Sequence, residues 1–154
     1  MLKRSTIIEI IIILNIILFL YTGIAKILDF VVFKEQLAES PFLAPISKGI
    51  AILLPAIEFT VVLMLAIARL RLKGFYITLV LMIIFTGYVI ALLASSDNLP
   101  CSCGGIIELL SWKQHLIFNS VFIGLDIWAI KLLHREKKEQ AKDWNETKYL
   151  ASDM

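Results

Sequence analysis

The sequence predicts an all-α integral membrane protein, a four-transmembrane-helix bundle with both termini in the cytoplasm. Three observations lead there. Of its 154 residues, 59% are hydrophobic, and the mean hydropathy is +0.85; a soluble domain is about half apolar. Four apolar runs, about 6–24, 50–70, 75–94 and 112–133, each meet the roughly 20 residues that a membrane crossing needs. The basic residues cluster in alternate links between those runs, as an inside–outside alternation requires.

Taken in order, the first run follows Lys3 and Arg4. With Gly23-Ile24-Ala25 near its end it has the outline of a signal peptide. The chain starts at Met1, and we expect the run to be retained as the first span. A short helix follows. Asp29 is placed to cap it, with Phe30, Phe33 and Leu37 on one face and Lys34, Glu35 and Glu39 elsewhere, the pattern of a helix at the membrane interface. Ser40-Pro41 ends it, and Pro45 stiffens the approach to the second span. Pro55, inside that span, frees a carbonyl and favours a kink. Beyond the third span, 106–110 is apolar enough to dip into the headgroups, and Ser111 with Gln114 forms a capping box for the fourth. Residues 134–154 read as a polar cytoplasmic tail, a frayed helix, outside the 1–133 membrane domain.

Lys3, Arg4, Arg69, Arg71, Lys73, Lys131, Arg135, Lys137, Lys138, Lys142 and Lys148 lie in the N-terminal tail, the second link and the C-terminal tail. The other two links hold only Lys26, Lys34, Lys48 and Lys113. The positive-inside rule therefore puts the first and third links outside. In a bacterial inner membrane that side is the periplasm, where disulfides persist; in a eukaryotic cell it would be a lumen. These basic residues flank membrane segments, so the expected surroundings are lipid and no nucleic acid.

The third link carries both cysteines, Cys101 and Cys103, in Leu-Pro-Cys-Ser-Cys-Gly-Gly. Pro100 fixes the backbone ahead of the pair, and Gly104-Gly105 permits a tight turn after it. A Cys-x-Cys disulfide closes a small, strained ring, which makes a good oxidant. Its loop is too short to remove much unfolded-chain entropy, so it makes a weak clasp. The leading reading is therefore a redox-active dithiol. The alternatives are a structural clasp and a Cu(I) or zinc site; two thiolates with His115 suit copper, but the outer face lacks four zinc ligands. We assign no metal ligands. Two cysteines store one electron pair. Electrons must come from a partner's thiols, on a thioredoxin-like protein or a maturing exported protein, and leave to a second partner or a lipid-soluble acceptor such as a quinone. No cofactor is certain from the residues.

Ionisable side chains inside spans are functional candidates by default. Glu58, after Pro55, and Lys26, closing the first span, are expected to pair, as a structural tie or a proton site. Trp112, His115, Asn119, Phe122 and Asp126 share one face of the fourth span. His115 lies at the outer end, suited to stabilise a thiolate or carry its proton. Asn119 and Asp126 read as interhelical glue, and Trp112 as an interfacial anchor. Glu9 and Asn15 have no assigned role.

Thr22-Gly23-Ile24-Ala25-Lys26-Ile27-Leu28-Asp29-Phe30, the Pro55-x-x-Glu58 step, Pro100-Cys-Ser-Cys-Gly-Gly105, Ser111-Trp112 and His115 together resemble the MauE/DoxX group of redox-associated bacterial membrane proteins, over about residues 5–133. The resemblance implies a four-helix inner-membrane protein tied to periplasmic thiol handling. In methylamine-utilisation systems such relatives assist maturation of a disulfide-rich dehydrogenase subunit beside a thioredoxin-like partner. It maps redox activity onto Cys101 and Cys103, with Lys26 and Glu58 as core polar residues. The plan is also similar to DsbB and the vitamin K epoxide reductases, quinone-linked thiol oxidases that use two cysteine pairs where this chain has one. The rival to a thiol–disulfide oxidoreductase is a non-enzymatic scaffold or accessory subunit that docks a periplasmic client.

Overall fold

The computed structural model describes residues 4–40, 43–95 and 112–152. These form α1 (Arg4–Leu28), α2 (Phe30–Glu39), a 3₁₀ turn (Ala44–Ile46), α3 (Ser47–Ala66), α4 (Arg71–Ser95) and α5 (Trp112–Ser152). Four of the helices, α1, α3, α4 and α5, are long and apolar enough to cross a membrane. The all-α multi-pass architecture expected from the sequence is the one observed.

Helical periodicity decides what each span buries. On α1, Ile8, Ile11, Ile12, Asn15, Phe19, Thr22, Gly23 and Lys26 are buried, at the three-and-four spacing of one face. On α3 the buried set is Ala51, Pro55, Glu58, Val61 and Leu65. These faces meet: α1 packs on α3 and α5, and α4 packs on the same two helices, closing a ring. Ile8, Ile12, Val61, Leu65, Phe75, Phe122 and Ala129 belong to the central cluster. The opposite faces expose Ile13, Ile17, Leu63, Ile84 and Ile117. In water that apolar surface would be costly; lipid tails cover it without penalty.

The short helix after the first span is present. Phe33 and Leu37 of α2 bury against Ala51 of α3, with Phe30, Leu43, Ile50 and Leu54 around them. Asp29 stands at its N-cap position without a side-chain capping bond. It serves instead through its backbone, with Asp29 N donating to Ala25 O at 3.0 Å and Phe33 N to Asp29 O at 2.9 Å. One residue thus joins α1 to α2.

The other boundaries differ modestly from expectation. Helix α3 runs through Pro55. It stops at Ala66 because Ile67 is extended (φ −86°, ψ 113°), so the link to α4 is only residues 67–70. Gly74 makes that tight return possible. A Cβ there would lie 3.0 Å from Leu65 Cδ2 and 3.3 Å from its backbone nitrogen. Helix α5 continues unbroken to Ser152, 41 residues in all, or about 60 Å, roughly twice the hydrocarbon thickness. The 134–152 part read as a frayed tail extends the same helix. The expected dip at 106–110 and the cap residue Ser111 lie outside the described residues.

The Gly74 contact makes a prediction. Gly74→Ala should lower stability by about 1–3 kcal/mol through overpacking against Leu65, read as a lower thermal midpoint in detergent. Gly87→Ala and Gly124→Ala, where a Cβ meets nothing within 4 Å, should be neutral or mildly stabilising.

Candidate functional site

The polar centre of the bundle is built on α1 and α3. Lys26 and Glu58 are both at least nine-tenths buried. A helical side chain leans towards its helix N-terminus, so Lys26 reaches back one turn, where its Nζ donates to Thr22 O at 3.3 Å. That brings it level with Glu58, and Nζ donates to Oε1 at 2.7 Å. The Thr22 hydroxyl donates to the same oxygen at 3.1 Å. Glu58 Oε2 has no hydrogen-bond partner among the described residues. It sits 3.4 Å from where a Cβ on Gly23 would be, so α1 passes within contact distance of the carboxylate. From α2, the Phe33 ring stands with its centroid 5.8 Å from Lys26 Nζ, within cation–π range.

Beside the pair is a cavity of about 270 Å³. All five helices line it. Its walls are mainly apolar, and Lys26, Glu58, Gln36, His115 and Asn119 contribute polar groups. His115 is buried (4% exposed) and its ring lies 5.2 Å from that of Phe85, tilted by 48°. Its Nε2 has no partner among the described residues, nor has Asn119 Nδ2 or Gln36 Oε1. The expected polar face of α5 is thus real: His115, Asn119, Phe122 and Asp126 all point inward. The side chain of Trp112, and both Cys101 and Cys103, lie outside the described residues.

The polar residues separate into two levels. Lys26, Glu58, His115 and Asn119 gather around the cavity. Asp126 does not. It is fully buried deeper in the bundle, where Asn15 Nδ2 donates to its Oδ1 at 3.0 Å. Asn15 had no sequence-assigned role, although its place on the Ile8–Ile12–Phe19 face signals burial. Glu9 was also unassigned; it accepts from Arg71 Nη1 at 2.6 Å and Nη2 at 3.3 Å. At the same end of the bundle Arg4 pairs with Glu139 at 2.6 Å, and Tyr76 Oη meets His134 Nε2 at 3.1 Å. The first-, second- and third-cluster basic segments therefore share one end. Ser95 of α4 and Trp112 of α5, where the cysteine segment attaches, are the far ends of those same antiparallel helices.

Compared with known proteins, residues 4–132 match the family described as methylamine utilisation protein MauE. The chain belongs to the MauE family. The match takes in α1, α2, α3 and α4 and the first half of α5, to Leu132. No curated protein and no solved structure matches the chain. With four helices long and apolar enough to cross a membrane, the chain is a multi-pass membrane protein of that family, and the cavity and the Lys26–Glu58 pair both lie inside the matched region.

A double-mutant cycle tests the pair. Lys26→Met or Glu58→Met alone leaves one buried charge uncompensated and should cost about 3–5 kcal/mol. The double variant should recover most of that loss. Denaturant unfolding in detergent measures all three.

Proposed function

We propose that this MauE-family chain is a thiol–disulfide redox protein of a bacterial inner membrane. Cys101 and Cys103 exchange with a periplasmic thioredoxin-like protein or a cysteine-containing exported client. One observation carries the reading: the helix ends flanking the cysteine segment lie opposite the end where Arg4, Arg71 and His134 meet Glu139, Glu9 and Tyr76. The positive-inside rule assigns the basic end to the cytoplasm. The dithiol then belongs to the oxidising side, where a disulfide lasts.

The exchange balances as follows. A partner thiolate attacks one sulfur of the Cys101–Cys103 disulfide, forming a mixed disulfide and releasing the other cysteine as a thiolate. The partner's second thiolate attacks the mixed disulfide. The partner leaves as a disulfide, and this chain keeps two electrons as a dithiol. The reverse sequence reduces the partner. Helices α4 and α5 hold the pair, and the apolar faces of the bundle anchor it in lipid.

Single Cys101→Ala and Cys103→Ala variants should each trap a covalent partner, visible as a larger species on non-reducing gels and identified by mass spectrometry. The double Cys→Ser variant should trap none and lose function. Full function in the double variant, with normal expression, would establish the scaffold role instead. Stoichiometric copper or zinc in purified protein, lost with the cysteines, would establish the metal role.

A further inference from the structure

We propose that Asp126 is a proton-binding site in the middle of the bundle, held as the neutral acid and closed in a two-bond ring with the Asn15 amide. The site is independent of the thiol chemistry proposed above, and neither cysteine takes part in it.

Hydrogen bonding gives the first indication. Asn15 and Asp126 are both fully buried. Asn15 Nδ2 donates to Ile11 O and to Asp126 Oδ1, each at 3.0 Å. An amide nitrogen has two hydrogens, so its donors are used up. Two oxygens remain, Asn15 Oδ1 and Asp126 Oδ2. Both are buried and have no partner among the described residues. With the carboxyl ionised, both are acceptors only. Neither can satisfy the other, and the pair is short of one hydrogen. A proton on Oδ2 supplies it. The acid hydroxyl then donates to Asn15 Oδ1 while Asn15 Nδ2 donates to Asp126 Oδ1. Amide and acid match as one donor and one acceptor on each side, and the buried oxygens that would otherwise be orphans are satisfied.

Charge gives the second. Asn15 lies at the middle of α1, a helix long and apolar enough to cross a membrane. An ionised carboxylate at that depth needs a cation or several donors. Asp126 is in no ion pair among the described residues. The helices packed against α5 are α1 and α4, and their charged side chains are Arg4, Glu9, Lys26, Arg71 and Lys73. Arg4 is committed to Glu139, Lys26 to Glu58 and Arg71 to Glu9. Lys73 is exposed in the first turn of α4. The buried Thr78 hydroxyl of α4 donates to Gly74 O. On α5 itself Lys131 is exposed, His134 meets Tyr76, and His115 lines the cavity, which neither Asn15 nor Asp126 lines. A divalent cation is a poor substitute for the proton: two oxygens are open here, and such ions take about six or more.

The bound proton lets a side chain of α5 join α1 without placing a charge in hydrocarbon. Its loss leaves two acceptor oxygens facing each other at the α1–α5 contact.

Infrared spectra of the purified chain in detergent test this. They are taken at about pH 7, some three units above the ionisation of a solvated aspartate. The carbonyl stretch of a protonated, hydrogen-bonded carboxylic acid is expected. Labelling the aspartates alone with heavy carbon should shift that band, which a band from Glu58 would not do. Asp126→Asn should abolish it. Asn15→Leu should move it to the higher frequency of an acid carbonyl without a hydrogen bond. The labelled parent alone decides the protonation state, whether or not the variants fold. A label-sensitive carboxylate signal with no acid band would make a water or a cation the bridge and overturn the proposal. So would a label-sensitive acid band that survives Asp126→Asn, or a thermal midpoint raised by sodium but not by choline at equal ionic strength.

Discussion

The buried ion pair between Lys26 and Glu58 is the interaction on which the upper half of the bundle depends. A charge left alone among hydrocarbon side chains is one of the costliest arrangements a protein can hold. Here each member removes the other's penalty, and the price is geometric. Helices α1 and α3 must cross close enough for a 2.7 Å contact. Thr22 fills a second acceptor site on Glu58 Oε1. Phe33 then has a cation to cover, which helps fix α2 against α1. Small residues that let backbones come near, with polar groups bonded between them, are a common solution for helices in lipid.

The same requirement recurs lower down with less charge. Asp126 has Asn15 for a neighbour across the α1–α5 contact, and Arg71 at the start of α4 reaches Glu9 of α1, its diagonal neighbour in the ring. The exposed Arg4–Glu139 pair is worth little energetically. Its importance is topological, because it joins the start of α1 to the long continuation of α5. Four polar ties along α1 set its register against the other helices, which apolar contacts alone do loosely in a solvent as apolar as the side chains.

Against that well-paired background, the atoms around the cavity stand out. His115, Asn119 and Gln36 are placed by three different constraints: the buried stripe of α5 for the first two, and the docking of α2 for the third. They converge on one apolar space whose charge is already balanced. Rigid helices provide the walls, and the ion pair sets the electrostatics. The site sits within the region shared with the MauE family, whereas the extension of α5 beyond Leu132 does not.

The sequence by itself determined the class of fold, the four spans and the polar face of the fourth. These follow from composition and from a 3.6-residue period, both local properties of the chain. It also singled out Lys26 with Glu58, because two opposite charges in neighbouring spans have few other partners. The helix ends were less legible. Ile67 stops α3 through a backbone angle, and Gly74 acts through its closeness to Leu65, a contact that no spacing rule encodes. Only the tertiary structure decided that Asp126 belongs with Asn15 while Asn119 and His115 face a cavity. Positions on one helical stripe look alike in sequence; the partner of Asp126 lies 111 residues away, and depth along the bundle sorts the rest.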